Sequence, residues 1–152
     1  MILGIGSDLC YVDRIRRSLT QYGDAYLDHL FSVDERVLCE AGPDPVLLFA
    51  RGFCGKEACA KALATGMSDG VGWRDIEVLQ TGPSTSLRLS NSALERLVHL
   101  TPAGYNPVLH ITCSGDKQIA QAVVVISAVS LSSSDVMKDH AVGSRDWRES
   151  GP

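Results

Sequence analysis

The sequence lacks the features that mark several large classes of protein. No stretch of its 152 residues approaches the roughly 18 consecutive apolar residues that a membrane-spanning helix needs. Basic residues do not outnumber acidic ones, since 14 Lys and Arg against 18 Asp and Glu give a net charge of −4. A basic surplus is typical of proteins that bind nucleic acids. We therefore expect no membrane association and no binding of nucleic acid.

Patterned cysteines and an export signal are also missing. The five cysteines are irregularly spaced and form no C-x-x-C pair, so a structural zinc site is not indicated. The first ten residues have no basic segment, and Asp8 breaks their apolar run, so no signal peptide is predicted. Reduced cysteines in the cytoplasm are the simplest interpretation.

The composition that remains is typical of one globular domain followed by a tail. Hydrophobic residues make up 45% of the chain and charged residues 21%, as in average soluble domains. After about residue 130 the sequence becomes rich in serine and charged residues. We predict a single domain over residues 1–129 and a mostly disordered, partly vector-derived tail over 130–152.

The pattern of apolar residues predicts a chain that mixes helices and strands. A short buried strand, interrupted by glycines, is predicted over 2–6. The longest helix is predicted over 46–64, beginning after Pro45 and ending near a C-cap at Gly66. Asp13 is expected to cap the first helix. The remaining helices are predicted over 14–22, 26–31, 33–41 and 91–100, and the remaining strands over 75–79, 86–89, 108–112 and 120–129.

The long predicted helix carries the first candidate functional residues. At 100° per residue, Phe49 and Phe53 lie on a buried stripe, and Glu57 and Lys61 flank its edge four residues apart. One interpretation is an ordinary salt bridge between neighbouring turns of a helix. The other is a site in which the carboxylate faces a cleft and the lysine holds an anion.

Asp8 is a candidate partner for Glu57. It directly follows the strand predicted over 2–6, at a point where the chain is expected to open toward a cleft. Two carboxylates suit Mg²⁺, which keeps several waters and takes one or two carboxylates together with substrate phosphates. The alternative is that Asp8 only caps the helix behind it.

Three other motifs carry weaker signals. His110 lies in the middle of a predicted strand, where a lone histidine is more often a packed residue than a catalyst. Residues 66–70 match the G-x-S-x-G elbow of serine hydrolases, but that motif needs a preceding strand, and a helix is predicted here. Gly4 and Gly6 lack the third glycine of a dinucleotide-binding motif.

Several segments, taken in order, resemble the holo-acyl-carrier-protein synthase family of 4′-phosphopantetheinyl transferases. An F-x-x-K-E-A-x-x-K-A helix begins at Phe53, at the family's distance from a G-x-G-x-D strand that begins at Gly4. The resemblance covers roughly residues 1–129. Its segments are Gly4–Leu9, Asp13–Ile15, Phe31–Glu35, Ala50–Leu63, Thr65–Gly66, Ile76–Val78, Leu87–Ser90 and His110–Thr112.

The resemblance implies a fold and a reaction. The fold is α+β, with a small antiparallel sheet packed against a long central helix and shorter helices. The reaction is the Mg²⁺-dependent transfer of the 4′-phosphopantetheine arm of coenzyme A to a serine of an apo acyl carrier protein, which releases adenosine 3′,5′-bisphosphate. The implied partners are coenzyme A and an acidic carrier protein, and the implied assembly is a homotrimer with active sites between subunits.

The same resemblance assigns roles to individual residues. Asp8 and Glu57 are implied to hold Mg²⁺, and Lys61 to contact the same phosphates, so that these three form the catalytic set. Arg14 and Arg17 are implied to face the carrier protein. The implied contacts with coenzyme A are Arg51, Lys61, Gly66, His110 and Thr112.

The chain also departs from the family pattern at several glycines. Gly52 stands where the family often has a second arginine, Gly55 where it has alanine or valine, and Gly115 where many members have histidine. A glycine inside a helix costs about 1 kcal/mol relative to alanine. These departures leave open an alternative, a homologue that has lost catalysis and only binds carrier protein or coenzyme A.

Overall fold

The computed structural model describes residues 1–67 and 70–131, in which two antiparallel sheets pack around a long helix. The predicted α+β fold is confirmed. The helices are α1 (Val12–Tyr22), α2 (Asp24–Leu30), α3 (Val33–Glu40), α4 (Pro45–Ala62) and α5 (Asn91–Leu100). The strands are β1 (Ile2–Tyr11), β2 (Ile76–Thr81), β3 (Ser84–Leu89), β4 (Tyr105–Gly115) and β5 (Ile119–Ser130). A short 3₁₀ turn, Trp73–Asp75, precedes β2.

The larger sheet has the order β1-β5-β4, and the smaller one consists of β2 and β3. Alternate residues of the central strand β5 are buried, and they include Ala120, Ala122, Val124 and Ile126. Because side chains alternate along a strand, these residues form one face of the sheet, which packs against α4. Three of the five alternating positions are alanines (Ala128 is the third), so the helix can lie close to the sheet.

The first strand is longer than the predicted 2–6, and this changes the position of Asp8. Asp8 lies inside β1, opposite Ala122 of β5, and does not follow the strand. It does not cap α1 either, since the N-cap is Tyr11 and no side chain accepts a capping bond there. The boundary was misplaced because two consecutive polar residues, Ser7 and Asp8, are typical of a strand end. In the structure the strand continues, and the two side chains lie on its opposite faces.

Two other boundaries differ from the predictions. β4 begins at Tyr105 and includes Pro107, both of which precede the strand predicted over 108–112. β4 is an edge strand, and an edge position tolerates a residue without an N–H group. Helix α4 ends with Leu63 as its C-cap, three residues before the predicted Gly66, which lies in the following turn at a φ of 61°.

Two glycines allow β1 to lie directly on α4. A Cβ atom at Gly4 would be 2.0 Å from the carbonyl oxygen of Ala62, and one at Gly6 would be 1.9 Å from that of Ala58. Both obstacles are backbone atoms of a helix, which cannot move aside as a flexible side chain can. The G-x-G motif is therefore a packing motif that sets the distance between strand and helix.

A buried ion pair fixes α4 on its other side. A capping box begins α3, with Ser32 and Glu35 exchanging hydrogen bonds. The Glu35 carboxylate also accepts a hydrogen bond from Lys56 of α4 at 2.8 Å, and both side chains are buried. Breaking a buried pair by removing one partner leaves an uncompensated charge, so the two residues depend on each other.

Close packing also accounts for the unusual glycine in the middle of α4. A Cβ atom at Gly55 would lie 2.8 Å from Cγ2 of Val78 and 3.1 Å from Cδ1 of Ile111. The helix contacts both sheets at this turn. The absence of a side chain therefore suits the packing, although it lowers the intrinsic helix propensity.

Within residues 1–67 and 70–131, no helix is both long enough and apolar enough to cross a bilayer. Strand β5 ends at Ser130, one residue beyond the predicted end of the domain. Ser68 of the G-x-S-x-G match and residues 132–152 of the predicted tail lie outside the described residues. The division into a domain and a tail stays a prediction.

The close approach of β1 to α4 predicts the effect of adding one methyl group. Gly6→Ala should destabilise the protein by roughly 2–3 kcal/mol, at the upper end of overpacking costs, because the strand must move away from the helix. Gly52→Ala is the matched control, since its Cβ atom would meet only side chains, the Phe31 ring at 3.1 Å and Nε2 of Gln80 at 3.7 Å. That variant should stay within about 1 kcal/mol of the parent, because alanine favours the helix. Urea denaturation measures both, and equal stability of the two variants would contradict this account.

Candidate active site

Asp8, Glu57 and Lys61 meet where β1 crosses α4. Asp8 is two residues beyond Gly6, so it is on the strand face that packs on the helix. The Lys61 ammonium lies 2.7 Å from Oδ1 of Asp8 and 3.0 Å from the carbonyl oxygen of Ser7. Lys61 thus pairs across to the strand with Asp8, and the interpretation as a salt bridge between Glu57 and Lys61 within the helix is wrong.

The charges of these three residues act on one another. Partial burial raises the pKa of Glu57, and the charge of Asp8 raises it further, while Lys61 and Arg14 act in the opposite direction. The hydrogen bond from Lys61 to Asp8 raises the pKa of the Lys61 ammonium. Two carboxylates that repel each other beside a cation form a site that a second, divalent cation would stabilise.

The donor set fits Mg²⁺ better than a transition metal. Asp8 and Glu57 offer carboxylate oxygens, the ligands that Mg²⁺ prefers. The part of the chain that the structure describes contains no cluster of three or more His, Cys, Asp or Glu side chains that could hold a metal. Two protein ligands leave the coordination positions that Mg²⁺ usually fills with water and phosphate oxygens.

Arg14 lies at the edge of the same cluster. Its guanidinium is over the Phe53 ring, 5.3 Å from the ring centroid, and its charge lowers the pKa of Glu57. Phe53 in turn stacks on Trp73 with their centroids 5.3 Å apart. The structure therefore brings Arg14 close to Glu57, at the edge of the cluster formed by Asp8, Glu57 and Lys61.

Arg17 occupies a different position on α1. It pairs with Asp13 at 2.9 Å, and Asp13 pairs with Arg16 at 2.6 Å. These two hydrogen bonds lower the pKa of Asp13. Asp13 thus holds two arginines on the helix surface. The prediction that Asp13 caps α1 is wrong, because the N-cap is Tyr11. A groove of about 500 Å³ runs along this face, lined by Tyr11, Asp13, Arg14, Arg17, Ser18 and Gln21.

The other residues predicted to bind coenzyme A are not gathered at this cluster within the chain. Arg51 donates to the carbonyl oxygen of Gly115 at 3.2 Å, and its buried Nε has no hydrogen-bond partner in the described structure. Gly66 is in the turn after α4. His110 and Thr112 are exposed on the sheet face that points away from α4, where His110 lies 3.4 Å from Oγ of Ser127.

Sequence reasoning missed the buried role of Lys56. Helical projection places Lys56 at 340°, inside the stripe formed by Phe49 and Phe53, where a charged side chain needs a buried partner. The capping-box glutamate, Glu35, is that partner. The stacking of Arg14 on Phe53 had no signal in the sequence, because it joins residues far apart in the chain.

Comparison with known proteins shows the family of the chain. The sequence matches the profile of the 4′-phosphopantetheinyl transferase superfamily over residues 4–118, and the chain belongs to this superfamily. The curated holo-[acyl-carrier-protein] synthase of Methylobacterium nodulans is 47% identical over 131 residues, which cover 85% of this chain and 98% of that protein. The resemblance to holo-acyl-carrier-protein synthases is thereby confirmed.

Solved structures show the same fold. The holo-[acyl-carrier-protein] synthase of Neisseria meningitidis has a TM-score of 0.70 at 26% identity and covers 84% of this chain and 99% of its own. The enzyme of Helicobacter pylori, solved in complex with coenzyme A, has a TM-score of 0.67 at 28% identity, covering 81% of this chain and 99% of its own.

Proposed function

We propose that this protein transfers the 4′-phosphopantetheine arm of coenzyme A to a serine of an apo acyl carrier protein and depends on Mg²⁺ for the transfer. The observation that carries the proposal is the meeting of Asp8, Glu57 and Lys61 at the crossing of β1 and α4. The family assignment and the relatives' names support the same reaction.

Each residue of the cluster has a role in this reaction. Asp8 and Glu57 would hold Mg²⁺, which when bound supplies positive charge for the pyrophosphate of coenzyme A. Lys61 binds the same phosphates as a compact point charge. Phosphoryl transfer depends mainly on positioning and electrostatics, so these few groups suffice. As the serine oxygen bonds to the phosphorus of the phosphopantetheine arm, the phosphoanhydride bond of coenzyme A breaks and adenosine 3′,5′-bisphosphate leaves. The serine proton passes to Glu57 or to an ordered water.

Removing the Glu57 carboxylate tests the reaction. Glu57→Gln should lower the rate of carrier modification by about 1,000-fold, because the divalent cation loses a charged ligand. The readout is the mass of an apo carrier protein after incubation with coenzyme A and Mg²⁺. Glu95→Gln, which changes an exposed glutamate on α5, should leave the rate unchanged.

The same experiment separates the enzyme from the binding homologue. A folded parent protein that leaves a panel of carriers unmodified, yet binds them, would favour the homologue that has lost catalysis. A Glu57→Gln variant as active as the parent would contradict the assigned role of that carboxylate.

We propose that Arg14 and Arg17 receive the acidic carrier protein. Both line the groove on α1, and Arg14 connects that groove to Glu57. A cationic face on a chain with a net charge of −4 steers an acidic partner to one place on the surface.

The docking proposal predicts a selective effect on the carrier. Arg14→Ala should raise the KM for carrier protein about tenfold and reduce the salt dependence of association, with a smaller effect on the KM for coenzyme A. Arg74→Ala removes an exposed arginine from the 3₁₀ turn and serves as control. Steady-state kinetics at two salt concentrations measure both effects. Equal KM values for carrier protein in the parent, Arg14→Ala and Arg74→Ala would refute the docking role.

We propose that the chain forms a homotrimer through the outer face of the larger sheet. This face carries exposed apolar side chains, among them Ile5 at 61%, Leu9 at 55% and Tyr11 at 67% exposure. Exposed apolar side chains gathered on one face of a sheet are typical of protein interfaces. His110 and Thr112 share this face, so trimerisation would carry them toward the site of a neighbouring copy.

A charge in this face should prevent assembly. Leu9→Arg is expected to give monomers in place of trimers and to lower transferase activity, because an arginine cannot be buried there without a partner. Val98→Arg on α5, another exposed apolar position, should stay trimeric. Light scattering after size-exclusion chromatography gives the mass, and a monomeric parent would disprove the trimer.

We propose the cytoplasm as the site of action. Coenzyme A and acyl carrier proteins are intracellular substrates in the reaction proposed here. All five cysteines are free in the structure, as reduced thiols in that compartment would be.

A further inference from the structure

Lys56 immediately precedes Glu57 but points away from the catalytic cluster. Its side chain leaves α4 toward α3, the 3₁₀ turn and β2, and it is fully buried at 0% exposure. The ammonium donates to Oε2 of Glu35 at 2.8 Å, to the carbonyl oxygen of Trp73 at 2.9 Å and to that of Ile76. An ammonium has three protons, so each of them has a partner.

Glu35 is equally well satisfied at 1% exposure. Its Oε1 accepts the backbone N–H of Val78 at 2.8 Å, and its Oε2 accepts that of Ser32 at 2.9 Å in addition to Lys56. The pair therefore joins α4 to α3, to the 3₁₀ turn and to β2. A fully bonded buried network has one favourable arrangement, because every displacement leaves a polar group without a partner.

This network fixes the direction of Glu57. Adjacent residues on a helix are 100° apart, so holding Lys56 in place sets the rotation of α4 about its axis at the next residue. On the other side, Gly4 and Gly6 set the distance of α4 from β1. Together the two contacts set the direction in which the Cα–Cβ bond of Glu57 leaves the helix relative to β1 and Asp8.

The Lys56 ammonium is also connected to Arg14, the residue proposed to receive the carrier protein. It binds the carbonyl oxygen of Trp73, whose ring stacks on Phe53. Arg14 lies over that Phe53 ring. Displacing the 3₁₀ turn would therefore move the aromatic support on which Arg14 rests.

We propose that the buried Lys56–Glu35 pair is a positioning element that holds Glu57 against Asp8 and Arg14 against Phe53, without touching substrate or metal. The proposal rests on the proposed function of the cluster. It makes Lys56 a positioning residue, since its ammonium is used up by Glu35 and two backbone carbonyl groups and has no proton left for a phosphate.

Lys56→Met tests the proposal, because it keeps the length of the side chain and removes the charge. The folded variant should bind Mn²⁺ about tenfold more weakly in the absence of substrates, as is usual when a group that orients metal ligands is lost. Its kcat should fall, while its KM for coenzyme A changes less. All measurements are made well below the melting temperature, and circular dichroism verifies the fold.

Arg88→Met provides the matched control. Arg88 forms ion pairs with Glu77 of β2 and Asp34 of α3. It therefore joins two of the elements that the Lys56–Glu35 pair joins, but neither of its partners is on α4. This variant should lose stability without losing Mn²⁺ affinity or kcat. If it weakens Mn²⁺ binding as much as Lys56→Met, general destabilisation explains both, and the proposal fails.

A second variant covers the case in which Lys56→Met does not fold. Glu35→Gln keeps the shape of the side chain and an oxygen for the N–H of Val78, and it should show the same loss of Mn²⁺ affinity. Folded variants with parental Mn²⁺ affinity and kcat would overturn the proposal. Failure of both variants to fold would also overturn it, because the pair would then be only a folding determinant. A parent that neither binds Mn²⁺ nor modifies a carrier would instead overturn the proposed function.

Discussion

The structure depends on the contact between β1 and α4, where backbone lies against backbone. Gly4 and Gly6 allow the strand to reach the helix at the level of Ala62 and Ala58. The next inward residue of the strand is Asp8, which therefore arrives beside Glu57 and Lys61 with no loop between them. A site built on a strand and a helix is held more rigidly than one built on loops, which suits a reaction that depends on positioning.

Helix α4 serves the packing and the chemistry with different faces of one segment. One face buries small residues against the larger sheet, another sends Lys56 into a buried ion pair, and the edge between β1 and α1 presents Glu57 and Lys61. This explains why the segment is the most recognisable part of the sequence. A change at most of its positions would affect stability, the site, or both.

Local patterns made much of this predictable. The helix predicted over 33–41, the helix predicted to begin after Pro45 and the strand predicted over 120–129 are specified by neighbours in sequence, and all three are confirmed. Asp8 was placed after the strand because the sequence does not show which face of β1 packs on α4 and which face is exposed. Pairings between distant residues, such as Glu35 with Lys56 and Arg14 with Phe53, leave no periodic signal. The family resemblance named Asp8, Glu57 and Lys61 as a set, but only the fold shows that Lys61 pairs with Asp8.

The most direct measurement of the central claim is the position of the metal. Crystals grown with Mn²⁺ in place of Mg²⁺ and with coenzyme A would reveal the ion by its anomalous scattering. The account predicts one strong peak in contact with carboxylate oxygens of both Asp8 and Glu57, at metal–oxygen distances of about 2.1 Å. A peak that contacts neither carboxylate, with coenzyme A bound, would contradict it.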